Sequence, residues 1–226
     1  MRSYLSPDEE REYSTLVAEL GALEQDIKGA RATARRATTG FGLTLRADHE
    51  PHAVMHGEHV RLPDGAEIVV RPIEPGDAHD LAVGVQHLSA LSRFRRFRAP
   101  IDHLSPAQLT ELTHVDHESR EAMVAFDAAN GEGIGVARYV RVPDDPARAE
   151  FTCAVTDRWQ RRGVGTALLE RLAARARAAG IERFTALIVV GNEPARRLVA
   201  RVAEVVSEHR AGGMVEVSGE ARGERS

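Results

Sequence analysis

Between residues 7 and 36, apolar positions recur at alternating steps of three and four: Tyr13, Leu16, Leu20, Leu23, Ile27, Ala30 and Ala34. That spacing predicts one helix with an apolar seam. Ser6 and Glu9 stand at capping-box spacing, and Pro7 occupies a first helical position that tolerates proline. Acidic residues fill the first half (Asp8, Glu9, Glu10, Glu12) and basic ones the second (Lys28, Arg31, Arg35, Arg36), an order that complements the helix dipole. Gly21 and Gly29 each weaken the helix by about 1 kcal/mol relative to Ala. Such a helix needs something to pack on. Either the remainder of the chain supplies it, or a second copy does, giving a homodimer in which antiparallel helices set opposite charges side by side.

The period is lost over residues 37–60, which read as a linker. Its histidines, His49, His52, His56 and His59, follow no metal-ligand spacing, so no metal is expected. From residue 61 short strands and helices alternate. The turn Pro63-Asp64-Gly65 precedes a strand at Glu67–Pro72. Helices are predicted over 75–87, 89–97 and 105–113, the last opened by Ser105-Pro106. Strands follow at Ala122–Asp127, Ile134–Val142 and Ala149–Thr156, with Asn130-Gly131 turning the chain between the first two. A helix at 164–179 closed by Gly180, a strand at 183–190, a helix at 193–201 and strands at 204–209 and 214–218 complete the domain. Antiparallel strands followed by a βαβα run predict an α/β (α+β) fold, a mixed sheet with helices on both faces. The expected organisation is therefore a helix at 1–36, a linker at 37–60, a domain at 61–219 and a disordered tail at 220–226.

Composition narrows the function classes. A formal net charge of -4 gives the chain no electrostatic footprint for nucleic acid or an anionic membrane. No stretch approaches the roughly 18 apolar residues of a membrane span, and the N-terminus lacks the apolar core of a secretory signal. A cytoplasmic location is expected. Cys153 is the only cysteine, so neither an intrachain disulfide nor a cysteine-rich zinc site can form.

Chemistry concentrates in Ala149–Gly165, AEFTCAVTDRWQRRGVG. An apolar strand ends at Thr156, and a polar loop leads through Gln160-Arg161-Arg162-Gly163-Val164-Gly165 into a long amphipathic helix whose predicted buried face is Leu168, Leu169, Leu172, Ala173 and Ala176. The first N–H groups of a helix have no internal partner and point outward with the positive end of the dipole behind them. Glycines at 163 and 165 would let the backbone approach a pyrophosphate, with Arg161 and Arg162 adding charge. A dinucleotide fingerprint would need a third glycine, where Ala167 and Leu168 stand. A Walker loop would need a lysine that is not there.

Gln160 to Gly165 instead resembles the Gln/Arg-x-x-Gly-x-Gly/Ala loop of the GNAT superfamily of N-acetyltransferases. The likeness continues upstream through Arg71-Pro72-Ile73 with Asp77, LSALSRFRRF, LSPAQLTELTHVD, EAMVAF and GVARYV. Over about residues 67–210 these stretches resemble, in order, the acetyltransferase domain of Pat-type bacterial protein lysine acetyltransferases. The resemblance implies a GNAT-like, mostly antiparallel sheet and acetyl-CoA as co-substrate. It implies that Val155 pairs its backbone with the pantetheine arm, that Asn192 lies near that arm, and that Gln160, Arg161, Arg162, Gly163, Val164, Gly165 and Thr166 hold the pyrophosphate. Such proteins usually carry an attached regulatory domain; the stretch before residue 60 is too short for one, so that regulation is not expected.

The implied reaction moves an acetyl group directly to an amine, either a protein lysine or a small molecule. An amine attacks only when neutral, so a base is needed. Glu150, ten residues before Gln160, matches the glutamate of the Pat-type strand, although a surface glutamate paired with Arg138 or Arg148 would read the same. Many relatives place a tyrosine on the helix after Asn192 to protonate the departing thiolate. Here that helix reads EPARRLVARV, and Tyr139 on an earlier strand reads as structural. A non-catalytic domain that binds acetyl-CoA is the alternative this departure keeps open. Cys153 reads as a small apolar residue. In LSRFRRF, Phe94 and Phe97 read as core rather than as part of a nucleic-acid patch, and His114 and His117 read as exposed loop residues.

Overall fold

The computed structural model describes residues 56–97, 101–211 and 213–222. The predicted N-terminal helix, most of the predicted linker and residues 223–226 lie outside them. Strands β1 (Glu58–Arg61), β2 (Glu67–Pro72), β3 (Arg120–Asp127), β4 (Gly133–Val142), β5 (Asp145–Val155), β6 (Arg183–Val189), β7 (Ala203–Ala211) and β8 (Met214–Ala221) form one sheet in the order β1-β2-β3-β4-β5-β6-β8-β7. Every neighbouring pair is antiparallel except β5 with β6. The helices are α1 (Ala78–Gln86), α2 (Ala90–Phe97), α3 (Pro106–Thr113), α4 (Val164–Ala178) and α5 (Glu193–Val202).

Three segments differ from expectation, and one of them is β5, which starts at Asp145 rather than at Ala149. Glu58–Arg61, read as the end of a linker, forms β1 and pairs with β2 from Glu58↔Val70 to Arg61↔Glu67. The sequence EHVR has no apolar period, and only the Pro63-Asp64-Gly65 turn folding it onto β2 makes it a strand. β8 likewise runs to Ala221, because Ala203 pairs with Ala221 across the final hairpin.

Alternation along the central strands sorts the two faces. Met123, Ala125, Ala137, Ala149 and Phe151 join Leu168, Leu169, Leu172, Ala173 and Ala176 of α4 in the main core. This is the amphipathic face expected of α4, and each fully buried leucine stabilises it by about 1.5–3 kcal/mol. The opposite face, with Val124, Phe126, Val136, Arg138 and Ala154, lies toward α1, α2 and α3. Ser105 caps α3: its hydroxyl accepts from Gln108 N at 3.3 Å while Gln108 Oε1 accepts from Ser105 N at 2.9 Å. On α2 the buried residues are Ala90 and Arg93, the latter donating to Leu88 O at 2.6 Å, whereas Phe94 and Phe97 are only half-buried. The helix is short and turns its arginine inward to satisfy the carbonyl before it, so the expected aromatic core is not formed there.

Arg71 and Asp77 tie β2 to the start of α1. Both are buried, and two parallel bonds of 2.8 and 2.6 Å join them. Asp77 also accepts from Glu74 N at 2.7 Å, and the guanidinium lies 4.8 Å from the Phe126 ring centroid. Removing one partner of such a pair strands a charge. Asp77→Ala is expected to cost about 3–5 kcal/mol of stability, measurable by urea denaturation. A midpoint unchanged from the parent would show that the pair contributes nothing.

Candidate active site

β5 and β6 are bonded only where Arg148, Ala149 and Glu150 face Arg183, Phe184 and Thr185. Beyond Glu150 the two strands diverge: β6 continues along β8, and β5 continues along β4 alone. The edge of Phe151–Val155 that faces β6 is therefore left open. Parallel strands end on the same side of a sheet, and a crevice between their C-terminal ends is a recurrent ligand position. Packing of the Phe151 and Phe184 rings, with centroids 4.2 Å apart, closes its narrow end. Glu150 is half-buried at this vertex, on the face opposite Ala149 and Phe151. Arg148, one of its candidate partners, lies 3.6 Å from Asp145.

At the wide end the chain passes through a single turn at Asp157–Trp159 into the loop before α4. Arg161 and Gly163 have φ of +61° and +108°. A Cβ on Gly163 would lie 3.1 Å from Pro63 Cδ, so glycine is needed for both its backbone and its space. Gly163 O accepts the first intrahelical bond, from Ala167 N at 3.0 Å. The amides of Val164, Gly165 and Thr166 thus precede the ladder and point out of the helix end. A Cβ on Gly165 would lie 3.1 Å from Leu198 Cδ2, so this glycine also lets α4 and α5 approach.

The structure separates the two loop arginines. Arg162 stacks on Trp159, with Cζ 3.9 Å from the ring centroid, and donates to Asp64 at 2.5 Å. It fastens the loop to the β1–β2 turn. Arg161 is exposed and, among the described residues, has no ion pair. Gln160 donates to Val155 O at 3.0 Å, to Asp157 Oδ1 at 3.0 Å and toward Ser92 Oγ at 3.2 Å. One carbonyl of the strand end is thereby occupied by the protein itself. Asn192 is the N-cap of α5, its side chain accepting from Ala195 N at 3.4 Å. Because α5 follows β6, this places Asn192 at the same end of the sheet as the loop.

Sequence reasoning missed Asp157, Ser89 and Ser92. Asp157 accepts from Ser89 N at 3.1 Å and from Ser92 Oγ at 2.7 Å, docking α2 onto the loop. Ser89 Oγ in turn accepts from Ser92 N at 3.2 Å. The spacing of Ser89 before an amphipathic segment signals a cap, but nothing in it signals a partner 68 residues away.

Cys153 lies on the open edge, its Sγ beside Gly165, and Tyr139 lies on β4 opposite Phe151. Desolvation pushes the Cys153 thiol up to about 12, which leaves it neutral at pH 7. Cys153→Ala should therefore keep kcat/KM within about threefold of the parent, whereas an acyl-enzyme nucleophile would lose nearly all activity. Tyr139 is fully buried and bonds Glu118 O at 3.3 Å, and burial raises its pKa. His117 bonds Glu121 at 2.8 Å, and Glu121, fully buried, also accepts from Arg175 of α4 at 2.5 Å. This is a tie between β3 and α4, away from the crevice.

Comparison with known proteins places this geometry. Residues 89–203 match the model of the acetyltransferase (GNAT) family. The chain is 31% identical over 146 residues to Acetyltransferase Pat of Mycolicibacterium smegmatis, covering 65% of this chain and 44% of that protein. It thus spans less than half of that relative's length. It is 29% identical over 152 residues to Acetyltransferase PA5475 of Pseudomonas aeruginosa, covering 65% of this chain and 80% of the other. The crystal structure of the GNAT domain of S. lividans PAT superposes with a TM-score of 0.65 at 33% identity, covering 72% of this chain and 96% of that one. On these matches, with the sheet order and the diverging strands, the chain belongs to the GNAT family of acetyltransferases.

Proposed function

We propose that the chain is an acetyl-CoA-dependent N-acetyltransferase that moves an acetyl group directly to an amine, in the first instance a protein lysine. The observation that carries this reading is the divergence of β5 from β6 directly after Glu150, with the glycine-opened end of α4 at the wide side. An extended arm bearing amides fits the open edge of Phe151–Val155. A pyrophosphate fits the amides of Val164, Gly165 and Thr166, with Arg161 beside them. Acetyl-CoA has both parts, and it supplies the thioester carbonyl. No residue in this arrangement calls for a metal.

Within it, Glu150 takes the proton from the attacking amine, directly or through one water. A backbone N–H on the open edge of β5 donates to the thioester oxygen as negative charge grows there. The new C–N bond replaces the C–S bond, and the thiolate takes its proton from solvent, since α5 offers no tyrosine. The protein-lysine acceptor rests on the likeness of residues 67–210 to the Pat-type domain.

Incubation with acetyl-CoA and a panel of amines and candidate proteins, followed by CoA release and mass spectrometry, tests the reading. Acetyl-lysine on a protein supports it. Transfer to small amines alone keeps the chemistry and overturns the lysine. Acetyl-CoA binding without transfer to any acceptor overturns catalysis and leaves a binding domain.

A further inference from the structure

Arg138 has no part in the reaction as drawn above. It projects from β4 on the face turned toward α1, α2 and α3, and is only 8% exposed. Its Nε is buried without a hydrogen-bond partner, and among the described residues no ion pair or hydrogen bond holds its guanidinium. It lines a cavity whose walls are largely apolar, including Leu81, Leu112, Val124, Phe126 and Val136. Desolvation lowers its pKa; Glu111 opposes that shift and Arg120 adds to it. Glu111 itself lies 3.5 Å from Arg120. The acidic groups that line the cavity, Asp77 and Asp80, act on Arg71, and Arg96 adds a second positive charge. Among the described residues, then, no carboxylate pairs directly with this buried guanidinium, an arrangement that costs stability unless a ligand supplies the anion.

The position relative to the crevice says which ligand. Arg138 lies opposite Thr152 on β5, and Glu150 is the next residue of β5 on the same face. Diagonal neighbours of this kind are about 7–8 Å apart at the backbone, within reach of an arginine side chain. Thr152 and Thr156 also bury hydroxyls without partners, the second of them on the cavity wall. We propose that Arg138 anchors a carboxylate on the acceptor, so that the site acetylates amines carrying an acidic group close to the nitrogen. A planar guanidinium binds a carboxylate through two parallel bonds, which fixes orientation as well as charge. The amine end then lies toward Glu150 and the open edge of β5. The carboxylate belongs either to a free amino acid or to an acidic residue beside a lysine in a protein.

The inference rests on the acetyl-transfer reading and is tested by two matched pairs. For a free acceptor the pair is 4-aminobutyrate and 4-aminobutanamide; for a protein acceptor it is a lysine peptide with Asp or Asn next to the lysine. Parent protein should prefer the acid of at least one pair. Arg138→Gln should lower kcat/KM for that acid by roughly 10²-fold, mainly through KM, and leave the neutral partner within about threefold. Arg138→Lys should recover part of the loss. Removing an unpaired charge should also leave the melting temperature unchanged or raised, which a structural tie would not do. Equal rates for acid and amide in the parent, or equal losses for both in Arg138→Gln, would overturn the proposal. If no amine is acetylated at all, the acetyl-transfer reading fails separately. Calorimetric titration of the same probes into CoA-loaded parent and Arg138→Gln then decides the anion site: binding of the acid that the variant loses supports it, and no binding overturns it.

Discussion

Glu150→Gln should lower kcat by about 10²–10⁴-fold, the usual worth of a general base, while acetyl-CoA affinity stays at the parent value. The carboxylate lies at the last bonded pair of β5 and β6, where the crevice begins, and on the face away from the α4 core. Glutamine keeps the shape and one hydrogen-bonding oxygen but removes the charge and the capacity to accept a proton. Melting curves confirm that the variant is folded. Its deficit should shrink as pH rises toward the acceptor's own pKa, because more of the amine then arrives neutral. Single-turnover rates at several pH values, together with calorimetry for acetyl-CoA, separate binding from proton transfer. Parent-like turnover under conditions where chemistry limits the rate would remove Glu150 from the mechanism.

Gly163→Asp should weaken acetyl-CoA binding by at least about 10²-fold, because a like charge beside a phosphate site costs several kcal/mol. Two further effects act in the same direction. The backbone there has φ of +108°, which an L side chain rarely adopts, and the new Cβ would press on Pro63 Cδ at 3.1 Å. Gly163→Ala carries the strain and the contact without the charge, so it should lose less affinity than the aspartate variant. Calorimetry on both, with melting curves to confirm folding, measures each part. Unchanged affinity in a folded Gly163→Asp protein would move the pyrophosphate away from this loop.

Much of this fold was legible because local rules act within a few residues. Ser105-Pro106 opens α3 through its own capping box, and Leu168, Leu169, Leu172, Ala173 and Ala176 show the buried face of α4 by spacing alone. The loop Gln160–Gly165 was equally readable, since a glycine-rich turn before an amphipathic helix is a contiguous signal. β1 was not, because EHVR becomes a strand only by pairing with β2. Nor could spacing tell apart the neighbours Arg161 and Arg162; Trp159 and the distant Asp64 decide that one fastens the loop and the other stays exposed. The same limit hid Asp157's hold on α2 and the burial of Arg93. For the site, the sequence by itself determined which residue types were at hand: a glutamate ten residues before the loop, two glycines, and no tyrosine after Asn192. Only the tertiary structure decided that β5 leaves β6 immediately after Glu150, and that Arg138 stands in a largely apolar cavity where, among the described residues, no carboxylate pairs with it. Strand divergence and desolvation depend on contacts between segments far apart in the chain, and no local period encodes them.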